Sequence, residues 1–275
     1  MLDLLRHPIF RKLYAAQVVS LLGTGLATVA LGLLAFDLAG PKAGTVLGTA
    51  LAIKMIAYVG VAPVAQALLG KFSAKRVLIT LDVIRAVIAM SLPFVTEIWQ
   101  VYTLIFLLQS ASAAFTPTFQ ALIPEILPDE GEYTRALSLS RLTYDLENLV
   151  SPMLAAALLA VISFHWLFAG TAIGFILSAA FVLYTPLPPR KAPSLAKSFL
   201  ARVSSGTRIY LATPRLRGLL SLTFAASAGS AMILVNTIVI TRSIYGFDAQ
   251  SVGFALAAFG AGSMIAALAL PRLLD

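Results

Sequence analysis

Apolar runs of about 20 residues recur along the whole chain, broken by short polar or turn-forming stretches. A helix needs about 20 apolar residues to cross ~30 Å of hydrocarbon. Eight segments meet that length: residues 13–39, 45–69, 77–96, 101–123, 138–162, 164–184, 216–241 and 249–271. Between them stand GPKAG at 40–44, GKFSAKR at 70–76, TEIWQ at 96–100 and PEILPDEGEYTR at 124–135. The fifth and sixth are parted only around Ser163. The pattern predicts an all-α membrane protein of eight spans. The first span is not a cleaved leader by pattern: it is too long, follows Asp3, and lacks a small-x-small cleavage site.

Composition agrees. Of 275 residues, 59% are hydrophobic and 12% charged, where a soluble domain carries about 25% charged. Cysteine is absent, which removes disulfides and thiolate metal sites. His7 and His165 lie far apart, and no metal-ligand cluster, phosphate loop or nucleophile elbow stands out. The reading is therefore of a protein without catalytic residues, metal or cofactor, and not of an enzyme.

The net charge of +8 takes its meaning from sidedness. With the N-terminus in the cytoplasm, 17 of the 20 Lys and Arg fall on the inner side, leaving Lys42 and Arg242 outside and Lys54 within a span. That asymmetry is the positive-inside signal. It implies a lipid bilayer as surroundings and no nucleic-acid partner. The longest inner segment, 185–215, begins Pro-rich and basic, as an extended linker. From Leu195 it turns amphipathic and predicts a helix at the membrane surface.

The chain also repeats itself. A shift of 206 positions lays HPIFRKL at 7–13 over TPRLRGL at 213–219, and Gly23 and Gly40 over Gly229 and Gly246. Beyond the first outer loop a shift of 205 lays Gly48 over Gly253. Spans seven and eight thus repeat spans one and two, in parallel, with six spans per unit. The domain expectation is a six-span bundle over 1–184, a cytoplasmic linker over 185–215, and the first two helices of a second bundle over 216–275. On this reading the second bundle is incomplete.

These pieces resemble the major facilitator superfamily, and within it bacterial exporters of the enterobactin-exporter and macrolide-efflux type. The loop after span two is similar to the superfamily's G-x-x-x-D-R-x-G-R-R signature. Gln66 stands at the first glycine and Gly70 at the aspartate; Lys71 and Lys75 keep basic places, followed by Arg76. SPMLAAALL at 151–159 is similar to the fifth-helix antiporter signature, with Ser151 for glycine. Residues 163–183 and 206–220 resemble the sixth helix and the lead-in to the seventh. The resemblance implies a secondary transporter that exports small organic molecules, siderophore- or drug-like, by alternating access with proton antiport. It also places Asp82 and Arg85 beside the inner loop network, as a structural pair one turn apart.

Polar residues inside spans are the candidates for function. At 1.5 Å per residue from Ser138, Asp145 lies roughly 10 Å deep and Glu147 roughly 13 Å. Asp145 shares a helix face with Arg141 and Asn148 and can pair with Arg141. Glu147 has no basic residue one turn away; it can bond Ser151 or Thr143, or hold a proton. An acid whose surroundings alternate between wet and dry can take up and release a proton, which proton-coupled transport needs. Lys54, mid-span, pairs with a carboxylate of another helix or meets an anionic substrate. Gln17, Gln109 and Asn236 are candidate cavity amides, each also able to bond a neighbouring helix. Substrate cavity and proton coupling are thus assigned to Glu147, Asp145, Lys54, Asn148, Gln17 and Asn236. Two rivals stay open: a non-transporting scaffold or inactive short chain, and a lipid permease of the same fold.

Overall fold

A computed structural model describes residues 2–69, 72–187 and 211–274. The chain turns wherever the apolar pattern is punctuated. Helix α1 (Pro8–Ala39) opens on Pro8, which has no N–H to leave unpaired, and on His7, whose ring accepts from Phe10 N at 3.3 Å. It stops at Gly40, where φ is 54°. A single 3-10 turn, Gly40–Lys42, leads to α2 (Ala43–Leu69). Then come α3 (Ala74–Ser91) and α4 (Ile98–Gln120), whose start is fixed by Glu97 N donating to Gln100 Oε1 at 3.1 Å. Helix α5 (Glu130–Leu159) is capped by Asp129, which accepts from Glu132 N at 2.9 Å. It is followed by α6 (His165–Leu183), α7 (Pro214–Val239) and α8 (Ala249–Leu274). One turn of π-helix, Ile240–Ile244, prolongs α7.

Each of the eight predicted segments coincides with one helix, although 77–96, 101–123 and 138–162 run three to five residues past the C-terminal ends of theirs. Five stretches of the described residues are long and apolar enough to cross a membrane, and they cover α1 with most of α2, α3, α4, α6 and α7. In α5 the described apolar part is Val150–Leu159. The described apolar part of α8 is Ala249–Gly262.

Helix α1 sits centrally, against α6, α5 and α2; α3 lies between α6 and α4, and α2 against α4. In lipid, helices associate through close packing of small residues and interhelical hydrogen bonds. Both devices join α1 to α6. A Cβ on Gly174 would come 2.7 Å from Val19 O, and Thr171 Oγ1 donates to Gly23 O at 2.8 Å. Phe168, Phe175 and Leu34 fill the space between the helices.

One end of the bundle holds the N-terminus and the start of α3. There Lys12 Nζ donates to Tyr184 O at 3.1 Å and Lys75 Nζ to Thr185 O at 2.9 Å. Two ammonium groups thus meet the last carbonyls of α6, where the helix dipole favours cations. This is the near end. Arg76 is exposed beside it. Gly70, Lys71, the side chain of Gln66 and the predicted surface helix after Leu195 lie outside the described residues.

At the far end α7 reaches α1 and α2 through its last turns. A Cβ on Gly44 would lie 3.3 Å from Val239 Cγ2, Ile238 covers Gly32, and the Arg242 guanidinium stands 5.0 Å from the Phe36 ring centre. Helix α8 lies along α5, where a Cβ on Gly253 would come 2.7 Å from Ala156 Cβ. Residues 217–230 of α7, by contrast, are exposed. The helix pairs α1–α2 and α7–α8 also match locally. Each starts on a proline, and each turns at a glycine with positive φ, Gly40 and Gly246 (68°). These are the two such glycines among the described residues, and only glycine adopts that conformation readily.

Candidate functional site: the central cavity

The intramembrane polar residues converge on one space. A hollow of about 580 Å³ lies between α1, α2, α4, α5, α7 and α8. A smaller one, about 150 Å³, adjoins it among α1 to α5. Lys54, Tyr58, Thr116, Tyr144 and Glu147 border both. The size suits a small organic molecule.

Helical spacing builds the walls. On α1, Gln17, Ser20, Thr24 and Thr28 recur every three or four residues and face inward. Thr24 and Thr28 donate to the carbonyls one turn back, at 3.0 and 3.1 Å. Their hydroxyl protons are thereby satisfied within the helix, and acceptor lone pairs remain for the cavity. Gln109, Ser112, Thr116 and Gln120 form the matching stripe on α4.

Helix α5 is anchored to α1 by Ser140 Oγ donating to Gln17 Oε1 at 3.1 Å and by Tyr14 and Thr143 hydroxyls 2.6 Å apart. That anchoring aims Arg141, Tyr144, Glu147 and Pro152 at the hollow. At 100° per residue they span an arc of about 140°, wider than a single stripe. Sequence spacing had put Arg141 and Glu147 on different faces; a broad cavity admits both. The side chains of Asp145 and Asn148 lie outside the described residues. The bonds expected for Glu147 are not formed. Thr143 donates to Leu139 O, and Ser151 Oγ, buried against Gly25, has no partner among the described residues.

Lys54 and Glu147 face the cavity from α2 and α5. No ion pair joins them, and neither has an ion-pair partner among the described residues. Of the amides, Gln17 and Gln109 line the cavity, whereas Asn236, half-buried near the far-end contact of α7, is not among its lining residues. Tyr58 and Tyr144, which border both hollows with Thr116, escaped the sequence reading. Their signal was available: each is a tyrosine in the middle of an apolar helix, with a phenol that needs a partner.

Asp82 and Arg85 form a buried ion pair, as their spacing suggested, but deeper than expected. They stand about 12 and 17 Å along α3 from Ala74, at 1.5 Å per residue. Arg85 thus borders the smaller hollow instead of the near-end loop. Its guanidinium is held between Phe115 and Phe175, 4.1 and 4.4 Å from the ring centres. Asp82 is fully buried, with Oδ2 unpartnered among the described residues. Breaking such a pair leaves one charge uncompensated, at about 3–5 kcal/mol. Asp82→Ala should therefore lower the thermal midpoint of the detergent-purified protein strongly. The double variant Asp82→Leu/Arg85→Met should recover most of that loss.

A sequence profile of the Major Facilitator Superfamily matches residues 13–275. The chain is 28% identical over 279 residues to the uncharacterized MFS-type transporter YfiS of Bacillus subtilis, covering 96% of this chain and 65% of that one. It is 23% identical over 207 residues to macrolide efflux protein A of Streptococcus pyogenes, covering 73% and 50%. The chain therefore spans about half to two thirds of the length of these relatives. Among solved structures it resembles the nucleoside transporter NupG, with TM-score 0.73 and 17% identity over 97% of this chain and 68% of that one. It also resembles a bacterial homologue of the lysosomal transporter Spinster in an inward-facing, unoccupied conformation, with TM-score 0.68 and 14% identity over 96% and 63%.

Proposed function

The chain belongs to the Major Facilitator Superfamily, and from that membership we propose that the protein carrying it is a proton-coupled exporter. Its substrates are small organic molecules, siderophore- or drug-like, moved by alternating access. The observation that carries this reading is the cavity. Its polar stripes, its two tyrosines, and Lys54 and Glu147, which have no ion-pair partner among the described residues, surround a space of substrate size. Export is supported by the likeness to macrolide efflux protein A. Proton coupling is supported by Glu147, an acid on the cavity wall without an ion-pair partner among the described residues.

The domain division proposed is a bundle over 1–184, a linker over 185–215, and the opening helices of a second bundle over 216–275. The basic near end is assigned to the cytoplasm by the positive-inside asymmetry, and the site of action to the bacterial plasma membrane. The far-end contacts of α7 with α1 and α2 then correspond to a cavity closed on the outer side. No reaction chemistry is assigned.

The test is efflux from vesicles holding the complete protein, screened over siderophores and drugs with and without a proton gradient. Gradient-dependent efflux of at least one compound is expected. Its absence for every compound, in protein shown to be inserted and folded, removes the exporter reading in favour of a scaffold. Efflux of lipid alone would favour the lipid permease.

A further inference from the structure

We propose that the cavity recognises zwitterionic molecules with an aromatic body, the substrate's carboxylate meeting Lys54 and its ammonium meeting Glu147. This deepens the transporter reading and rests on it. Lys54 on α2 and Glu147 on α5 border the same hollows, yet they form no ion pair with one another. A charge at such depth is costly unless it is paired or solvated. One cation and one anion on the wall of the same hollow, not joined in an ion pair, present a receptor for a molecule bearing both signs. A substrate with a single charge satisfies one wall and leaves the other bare. The remaining wall suits an aromatic body, with Tyr58, Tyr144, Phe115 and Phe119 around the two charges.

The arrangement also fixes the sign of coupling. The substrate's ammonium and a proton compete for one carboxylate, so binding one expels the other, as antiport requires; the carboxylate end stays on Lys54 throughout. A purely anionic substrate would behave oppositely. Protonating Glu147 would relieve repulsion and favour its binding, so anion and proton would bind together. Among the described residues, the charged and titratable groups facing Glu147 are Lys54 and Tyr58 on α2, Arg85 on α3, and Tyr144 and Arg141 on its own helix. The α1, α4, α7 and α8 residues on the walls are uncharged. Arg85 is committed to Asp82.

The probes are L-tryptophan and L-tryptophyl-L-tryptophan, each with its methyl ester, which keeps only the ammonium, and its N-acetyl form, which keeps only the carboxylate. Binding to the purified complete protein is measured by calorimetry. Each zwitterion should bind about tenfold tighter than either blocked form, the scale of one charge-assisted hydrogen bond. In Lys54→Gln the zwitterion should fall to the level of its ester. In Glu147→Gln it should fall to the level of its N-acetyl form. As pH drops, zwitterion binding should weaken and N-acetyl binding should strengthen. A blocked form binding as well as its parent, parallel pH trends, or no binding of any probe by protein that passes the efflux test would overturn the proposal. The last outcome leaves the exporter reading standing, whereas loss of gradient-driven efflux itself removes both.

Discussion

Glu147→Gln should abolish proton-driven efflux while the protein still inserts and folds. Glutamine copies the shape and hydrogen bonding of a protonated glutamate but cannot release a proton. A carrier frozen in that state lacks the carboxylate that meets the substrate's ammonium and binds substrate more weakly; at saturating substrate it can still exchange it across the membrane, but it cannot draw on the gradient. Net efflux against a substrate gradient should therefore fall to background, while exchange of labelled for unlabelled substrate persists. Folding should survive because Glu147 makes no ion pair among the described residues, and because removing a charge from mid-membrane lowers an insertion cost of about 2.5–3.5 kcal/mol. Gradient-driven efflux at the native rate in this variant would take Glu147 out of the mechanism. The same variant separates two kinds of failure. Loss of both efflux and exchange points to a damaged cavity, and loss of efflux alone points to coupling.

The helices were legible in the sequence because lipid imposes a length and a polarity on every span. The eight segments appear where apolar runs and turn residues placed them, and the glycines at 40 and 246 mark the same turn twice. The cavity was legible only in part. A carboxylate or an ammonium inside an apolar run announces itself, so Glu147, Lys54, Gln17 and Gln109 could be named. What helical periodicity alone could not supply was which faces meet. Arg141 and Glu147 were sorted apart by angle, yet a cavity wider than one helical stripe takes both. Depth was misjudged for Arg85, because a helix of 18 residues reaches mid-membrane within three turns. Lys54 was expected to pair with a carboxylate of another helix or to meet an anionic substrate; among the described residues it forms no ion pair and borders the cavity. Sequence carries no distance between helices, so it could not choose between the two.

Alternating access makes a second strong demand, at the far end. If substrate leaves there, α7 must part from α1 and α2, which now touch at Gly32, Phe36 and Gly44. The chain has no cysteine, so a pair can be introduced without competing thiols. A Cβ on Gly44 would lie 3.3 Å from Val239 Cγ2, one bond beyond Val239 Cβ, so the two Cβ atoms stand within about 5 Å, near the roughly 3.5–4.5 Å of a disulfide. Gly44→Cys/Val239→Cys should therefore cross-link on oxidation. Efflux should then drop to background and return when the bond is reduced, while each single variant transports through the same cycle of oxidation and reduction. The cross-linked protein should still bind substrate from the near end, because the cavity is walled below that contact by side chains the bond does not touch. Transport undiminished by a complete cross-link would mean that α2 and α7 never separate, and substrate would then have to leave by a path between other helices.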